Sequence, residues 1–230
     1  LPFFERLVAT AKRCGVLVVH DLAYSEMAFD GFRPPSILQI EGAKDIAVEF
    51  HSLSKSFNLA GGRIGFLAGN AQAVGALRDL KANLDYGVFE AVQEAGIEAL
   101  REDMDGAEPV GAVYERRRDR FLTALRAEGW GVTPPKATMF VWAPLPGGWQ
   151  NRAGLAVAAA PASAASIAAD DTRTSRVFAR ELLRATGVAV IPGSAFGAQG
   201  EGYVRIALVE EADRLEETAR RIGRFIRGEL

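Results

Sequence analysis

Cysteine is all but missing from this chain: Cys14 stands alone among 230 residues, so no internal disulfide can form and a disulfide-stapled scaffold is excluded. Histidine is nearly as scarce. His20 and His51, even taken with Cys14, show no metal-ligand spacing, so no metal site is expected and both are read as packing groups or supports for their neighbours. No run of about 18 uninterrupted apolar residues occurs, so no membrane-crossing helix is expected. Charge of one sign is lacking too: Lys+Arg 27 against Asp+Glu 29 leaves −2, without the basic excess that draws a protein to nucleic acid. The first residues show no basic segment followed by an apolar run and a small-residue cleavage site, so secretion is not expected and a soluble, cytoplasmic protein is the default.

What is present is globular: 49% apolar and 24% charged residues, enough for a real core. The chain opens at Leu1 without Met and runs at once into a helical period, Phe4, Leu7, Val8 and Ala11 sharing a face, which leads to the expectation that it is the interior of a longer polypeptide. That helix should stop at Gly15. Buried strands follow at Val16 to His20, ending in Asp21, and at Ile46 to Phe50, ending in His51-Ser52, with a third at Ile64 to Ala68 and a helix from Ala71 to Lys81. The first two strands, without polar alternation, belong to a mostly parallel sheet covered on both faces, so the class is α/β, with ligands gathering at the carboxyl ends of the strands.

Long helices are expected from Val88 to about Asp103 and from Pro109 to Glu128. Shorter units follow: a strand at Met139 to Trp142, a helix at Ser175 to Thr186, strands at Val188 to Val190 and Tyr203 to Ala207, and a helix at Glu210 to Arg227. The expected division is a large domain over 1–103 and a small α+β domain over 104–230, with a disordered Ala/Ser/Pro-rich insertion at 147–174. Arg116 to Arg120 reads as the solvated face of a helix, and Trp130, Trp142 and Trp149 as packing or surface residues.

The stretch from Ser52 to Gly65 carries the most chemistry. It leaves a buried strand, so Lys55 lies at a sheet's carboxyl edge, a candidate amine nucleophile among hydroxyls. Arg63, flanked by glycines, has a planar fork suited to a phosphate or carboxylate. Taken alone, this pattern is equally a surface loop after a strand. Asp21 and Tyr24 at the preceding strand's mouth add an acid that can pair with a protonated ring nitrogen and a phenol that can donate to a ring oxygen. A counter-ion, a phenol, an amine and an anion clamp are the groups a pyridoxal phosphate site requires.

Through Asp21-Leu22-Ala23-Tyr24 and the stretch from Ser52 to Gly65, the chain resembles the class I aminotransferases of the fold-type-I pyridoxal-phosphate enzymes. Ala23-Tyr24-Ser25-Glu26, Phe29-Asp30-Gly31, Arg33-Pro34-Pro35-Ser36 and Glu49 to Lys55 are most similar to the diaminopimelate-aminotransferase-like branch. The resemblance implies the C-terminal part of that fold, pyridoxal 5'-phosphate as cofactor, and transfer of an amino group from an amino acid to a 2-keto acid by a homodimer. It implies that Lys55 forms the Schiff base and shuttles the substrate α-proton, that Asp21 holds the pyridine nitrogen protonated, and that Tyr24 donates to the phenolate oxygen. Ser52 and Arg63 would hold the phosphate; Ser54 would either join them or cap the local turn. Arg205, in Gly202 to Ala207, matches the arginine that grips the substrate α-carboxylate, and Ile191 to Gly197 resembles a loop on the substrate side.

Two departures stand out. Gly62 precedes Arg63 where the family usually places a bulky residue. The family's earlier portion, with its phosphate loop, ring-stacking aromatic, Asn-Pro motif and partner-reaching tyrosine, has no counterpart in these residues, so a non-catalytic truncated or split member needing an N-terminal partner is the rival expectation. Ser52 to Lys55 also fits the Ser-x-x-Lys pattern of acyl-enzyme proteins, though its partner Lys-Thr-Gly is absent.

Overall fold

The computed structural model describes residues 1–101, 108–149 and 174–230, which divide into two compact units, Leu1–Val113 and Tyr114–Leu230. The expected insertion lies, over 150–173, outside the described residues, as does the expected helix end at Asp103.

The first unit begins with α1 (Pro2–Cys14), whose opening proline costs no hydrogen bond in a first turn. Gly15 ends it in the left-handed conformation (φ 64°, ψ 36°), its N–H reaching the carbonyls of Ala11 and Lys12. The helix buries Val8 and Ala11, and Val8 joins a core with Ile37, Ala43 and Ala47. Three strands follow, β1 (Val18–Asp21), β2 (Ala47–Ser52) and β3 (Gly65–Gly69), in that spatial order. β1 and β2 are parallel, pairing Val18 with Ala47 through Asp21 with Phe50.

β3 returns antiparallel, pairing Val48 with Gly69 through Ser52 with Gly65. Between β2 and β3 lie only the four-residue α2 (Leu53–Ser56) and a glycine-containing turn, which leaves no crossover helix for a parallel return. Nor do the described residues cover both sheet faces, since Val19 is 59% and Phe50 40% exposed. α3 (Ala71–Leu84) is capped by Asn70, whose side chain accepts from the Ala73 N–H at 2.9 Å; α4 (Glu90–Leu100) follows.

The second unit takes in most of α5 (Val110–Ala127), then β4 (Phe140–Pro144), α6 (Thr174–Thr186), β5 (Ile191–Pro192), β6 (Tyr203–Ala207) and α7 (Ala212–Arg227). Its sheet is antiparallel in the order β4-β6-β5. Phe121, Leu125, Phe178, Leu182, Val204 and Ile222 are fully buried within this unit. The strand expected at Val188 to Val190 is replaced by the two-residue β5 just beyond it; Val188 and Ala189 instead line an open cleft with Ile206 and Ala207.

The arginine run on α5 also departs from a solvated face. Arg118 is 2% exposed and donates to the Pro135 carbonyl at 3.0 Å and to Asp119 at 2.8 Å. Arg117 pairs with Glu211, and Arg120 with Asp213 and Glu216, tying α5 to α7.

Candidate active site

Two strand ends of the first unit deliver the candidate residues. Asp21 closes β1 and is exposed; its Oδ1 accepts from the Ala23 N–H at 3.3 Å, which bends the chain into a turn. Backbone bonds from Leu22 to Phe50 (2.9 Å) and from Met27 to Tyr24 (3.0 Å) continue that turn, anchored by buried Met27 and Phe29. Tyr24 is thereby held half-buried with its ring 5.9 Å from Lys55 Nζ, within cation–π range.

Ser52 closes β2 and stands at the N-terminus of α2, whose Leu53 is 2% exposed and donates from its backbone to the Ile64 carbonyl at 3.2 Å. That anchor leaves Ser54 buried and Lys55 half-buried. Among the described residues no carboxylate pairs with the Lys55 ammonium. Ser52 makes no side-chain cap on α2, and no described residue hydrogen-bonds the Ser54 hydroxyl, so the turn-capping alternative for Ser54 has no contact behind it.

The turn after α2 is strained. Five non-glycine residues among those described have positive φ, and two of them, Asn58 (φ 52°) and Arg63 (φ 50°), lie here. Such conformations cost about 1–3 kcal/mol each and gather at functional sites. Arg63 is exposed, with Nη1 donating to the Ala60 carbonyl at 3.2 Å. At Gly62 an added Cβ would stand 3.0 Å from Leu59 Cγ, so the Leu59 side chain fills the space where a bulkier residue would begin. Gly96 on α4 sits just as close to the loop: a Cβ there would fall 2.8 Å from Ile64 Cδ1 and 3.4 Å from Leu53 Cδ2.

Sequence reasoning missed Glu49. It is 2% exposed in the middle of β2, and both carboxylate oxygens are occupied. Oε2 accepts from Ser36 Oγ (2.8 Å), the Ile37 N–H (3.2 Å) and His20 Nδ1 (2.9 Å), while Oε1 accepts from His51 Nε2 (2.8 Å). Burial alone would raise the Glu49 pKa, but the hydrogen bonds from Ser36, His51 and His20 outweigh it and hold the carboxyl below its ordinary value. The signal in the sequence was one acid inside the otherwise apolar Ile46-Ala47-Val48-Glu49-Phe50.

Arg205 belongs to the second unit, in the middle of β6. Its guanidinium lies over two rings, 4.1 Å from the centroid of Phe140 and 4.6 Å from that of Phe196. No described carboxylate is paired with it, so its described neighbours are aromatic rings in cation–π range and its hydrogen-bonding edge has no described acid partner.

The first unit thus offers a carboxylate with one oxygen free of described partners, a phenol, an unpaired amine, two hydroxyls and an exposed guanidinium. That donor set fits a phosphorylated pyridine aldehyde: acid for ring nitrogen, phenol for ring oxygen, amine for carbonyl, and hydroxyls with guanidinium for phosphate. The Ser-x-x-Lys alternative gains no comparable context, because α2 spans four residues and offers no extended helix behind Ser52.

Comparison with known proteins gives the family of the chain. LL-diaminopimelate aminotransferase 2 of Nostoc sp. is 46% identical over 222 residues, 96% of this chain and 51% of that protein. Glutamate-pyruvate aminotransferase AlaC of Escherichia coli is 42% identical over 229 residues, 100% of this chain and 50% of its own length. Among solved structures, substrate-bound BacF from Bacillus subtilis superposes with a TM-score of 0.80 at 31% identity, covering 97% of this chain and 51% of that one. The chain spans about half the length of the curated relatives it matches. With the family model for class I and II aminotransferases matching residues 1–222, and a fold shared with fold-type-I aminotransferases, the chain belongs to the class I and II aminotransferase family.

Proposed function

We propose that the chain carries the cofactor- and substrate-holding residues of a pyridoxal-phosphate-dependent aminotransferase that moves an amino group from an amino acid to a 2-keto acid. One observation carries the reading: the half-buried Lys55 amine at the mouth of a β-strand, 5.9 Å from the Tyr24 ring and without a described carboxylate partner, next to the strand end that bears Asp21. Lys55 would hold the cofactor covalently and, when released, take the proton from the substrate α-carbon onto Nζ. Asp21 would accept from the protonated ring nitrogen, Tyr24 would donate to the ring oxygen, and Ser52, Ser54 and Arg63 would hold the phosphate. When bound, the cofactor supplies an electron sink for the charge left at the α-carbon. Arg205 would grip the α-carboxylate with its fork, a task for which Lys is no substitute.

On this reading the cofactor groups belong to a domain over 1–103 and the carboxylate anchor to one over 104–230, in a cytoplasmic homodimer. The relatives' names support amino-acid substrates. The test is to add pyridoxal phosphate to the purified chain, reduce with borohydride and map the modified lysine. Label confined to Lys55, and lost in Lys55→Ala, is the expected result; label scattered over surface lysines, or transamination undiminished in Lys55→Ala, overturns it.

A second reading rests on the half-length match and on the exposure of Val19 and Phe50: a split protein in which another chain completes the site. Cofactor binding and turnover by the 230-residue chain alone would dispose of it.

A further inference from the structure

We infer that Glu49 is a positioning residue for the cofactor site: by holding His20 and His51 each in one tautomer, it fixes the strand ends that carry Asp21 and Ser52. The inference deepens the reading above and rests on it only for what Asp21 and Ser52 do.

The geometry is cross-strand. His20 on β1 and Glu49 on β2 are direct register partners, and His51 is two residues along β2 from Glu49, on the same sheet face. Asp21 and Ser52 come one residue after the two histidines, on the opposite face. The network therefore lies behind the site and reaches it through the backbone. A carboxylate only accepts hydrogen bonds, so each ring nitrogen that meets it carries a proton: Nδ1–H in His20 and Nε2–H in His51. Each ring is further pinned by an aromatic neighbour. His20 lies 5.0 Å from the Phe4 ring, and His51 stacks at 4.6 Å and 11° on Phe66, its register partner on β3.

The same carboxylate gathers Ser36 and the Ile37 N–H, so it joins β1, β2 and the Ser36 turn at one point. Burying a carboxylate is costly unless its oxygens are satisfied, and here four donors satisfy them. An apolar residue at this position would pack on the core face without that cost but could not dictate where two imidazoles stand. Replacing Glu49 by Gln puts an amide NH₂ opposite one set of donors and breaks the arrangement with little change of shape.

The test uses side-chain amides as tautomer mimics. Asn places its NH₂ near the Nδ1 position of histidine and Gln near the Nε2 position, so His20→Asn and His51→Gln keep the donor toward Glu49, whereas His20→Gln and His51→Asn do not. Two readouts apply to the 230-residue chain: hydrogen exchange of the Leu22 amide, which bonds to Phe50 O beside Asp21, with the Leu208 amide of the second unit as control, and affinity for pyridoxal phosphate. Glu49→Gln, His20→Gln and His51→Asn should speed Leu22 exchange and weaken cofactor binding by about tenfold or more, the effect of a lost charge-assisted hydrogen bond, while His20→Asn and His51→Gln stay within about threefold.

Nitrogen NMR of histidine-labelled wild type should show the Nδ1–H form for His20 and the Nε2–H form for His51, a result that needs no variant to fold. Opposite tautomers, equal effects from all four histidine substitutions, or unmoved Leu22 exchange in Glu49→Gln would overturn the inference. Wild type that binds no pyridoxal phosphate would remove the cofactor reading instead, leaving exchange and NMR to decide the role of Glu49.

Discussion

Arg205 holds its charge over the rings of Phe140 and Phe196 rather than against a described acid. Lysine keeps the charge but neither stacks flat nor forks, so Arg205→Lys should raise KM for the amino acid by about tenfold or more while leaving pyridoxal phosphate affinity unchanged; steady-state kinetics beside a cofactor titration check both. Glu49 predicts a pH dependence. Its folded-state pKa lies below that of an ordinary glutamate, so between the two the unfolded chain binds more protons. The stability it contributes is therefore fully present above the ordinary value and lost as pH falls through the lowered one. Urea midpoints measured from about pH 6 to about pH 3 should fall less steeply for Glu49→Gln than for wild type, and identical slopes would show that Glu49 does not titrate with folding.

Elements are placed as much by absent side chains as by present ones. Gly193 and Gly200 bring their backbones into direct contact, so a Cβ on either would overlap the carbonyl of the other in the segment between β5 and β6. Gly193→Ala and Gly200→Ala should each cost about 2 kcal/mol or more, read as a lower thermal midpoint, whereas Gly61→Ala, with open space around it, should be near neutral. Local signals made much of this layout legible: a glycine to end α1, and apolar runs that stop in Asp21 and in Ser52, which put the acid and the lysine loop at neighbouring strand ends. What the sequence hid depends on partners far along the chain. The antiparallel return of β3, the burial of Arg118 with its bond to the Pro135 carbonyl, the bonding of two histidines to Glu49 and the two rings over Arg205 all arise from register and packing, and no local period encodes them.

At the scale of the molecule, the two units differ in how their helices are secured. α7 buries Leu215, Ala219, Ile222 and Gly223, while α3 buries none of its residues. Native-state hydrogen exchange should accordingly find α3 amides opening well before those of α7; equal protection would mean that something beyond the described residues covers α3. A length near half that of the relatives makes cofactor retention by this chain the decisive property to assay first. The rings around Arg205 offer a way to follow the proposed binding of a substrate carboxylate there. Trp142 meets Phe196 edge-on at 5.5 Å and stacks on Tyr203 at 5.5 Å and 15°, so one indole is wired to the aromatic clamp while Trp130 is buried with its N–H on the Pro144 carbonyl. A carboxylate arriving at Arg205 would draw on the guanidinium that Phe196 shares with it, and the Trp142 emission would change in colour and intensity. If Arg205 takes the substrate carboxylate as proposed, Trp142 becomes an optical gauge of its arrival, one that Trp142→Phe should silence.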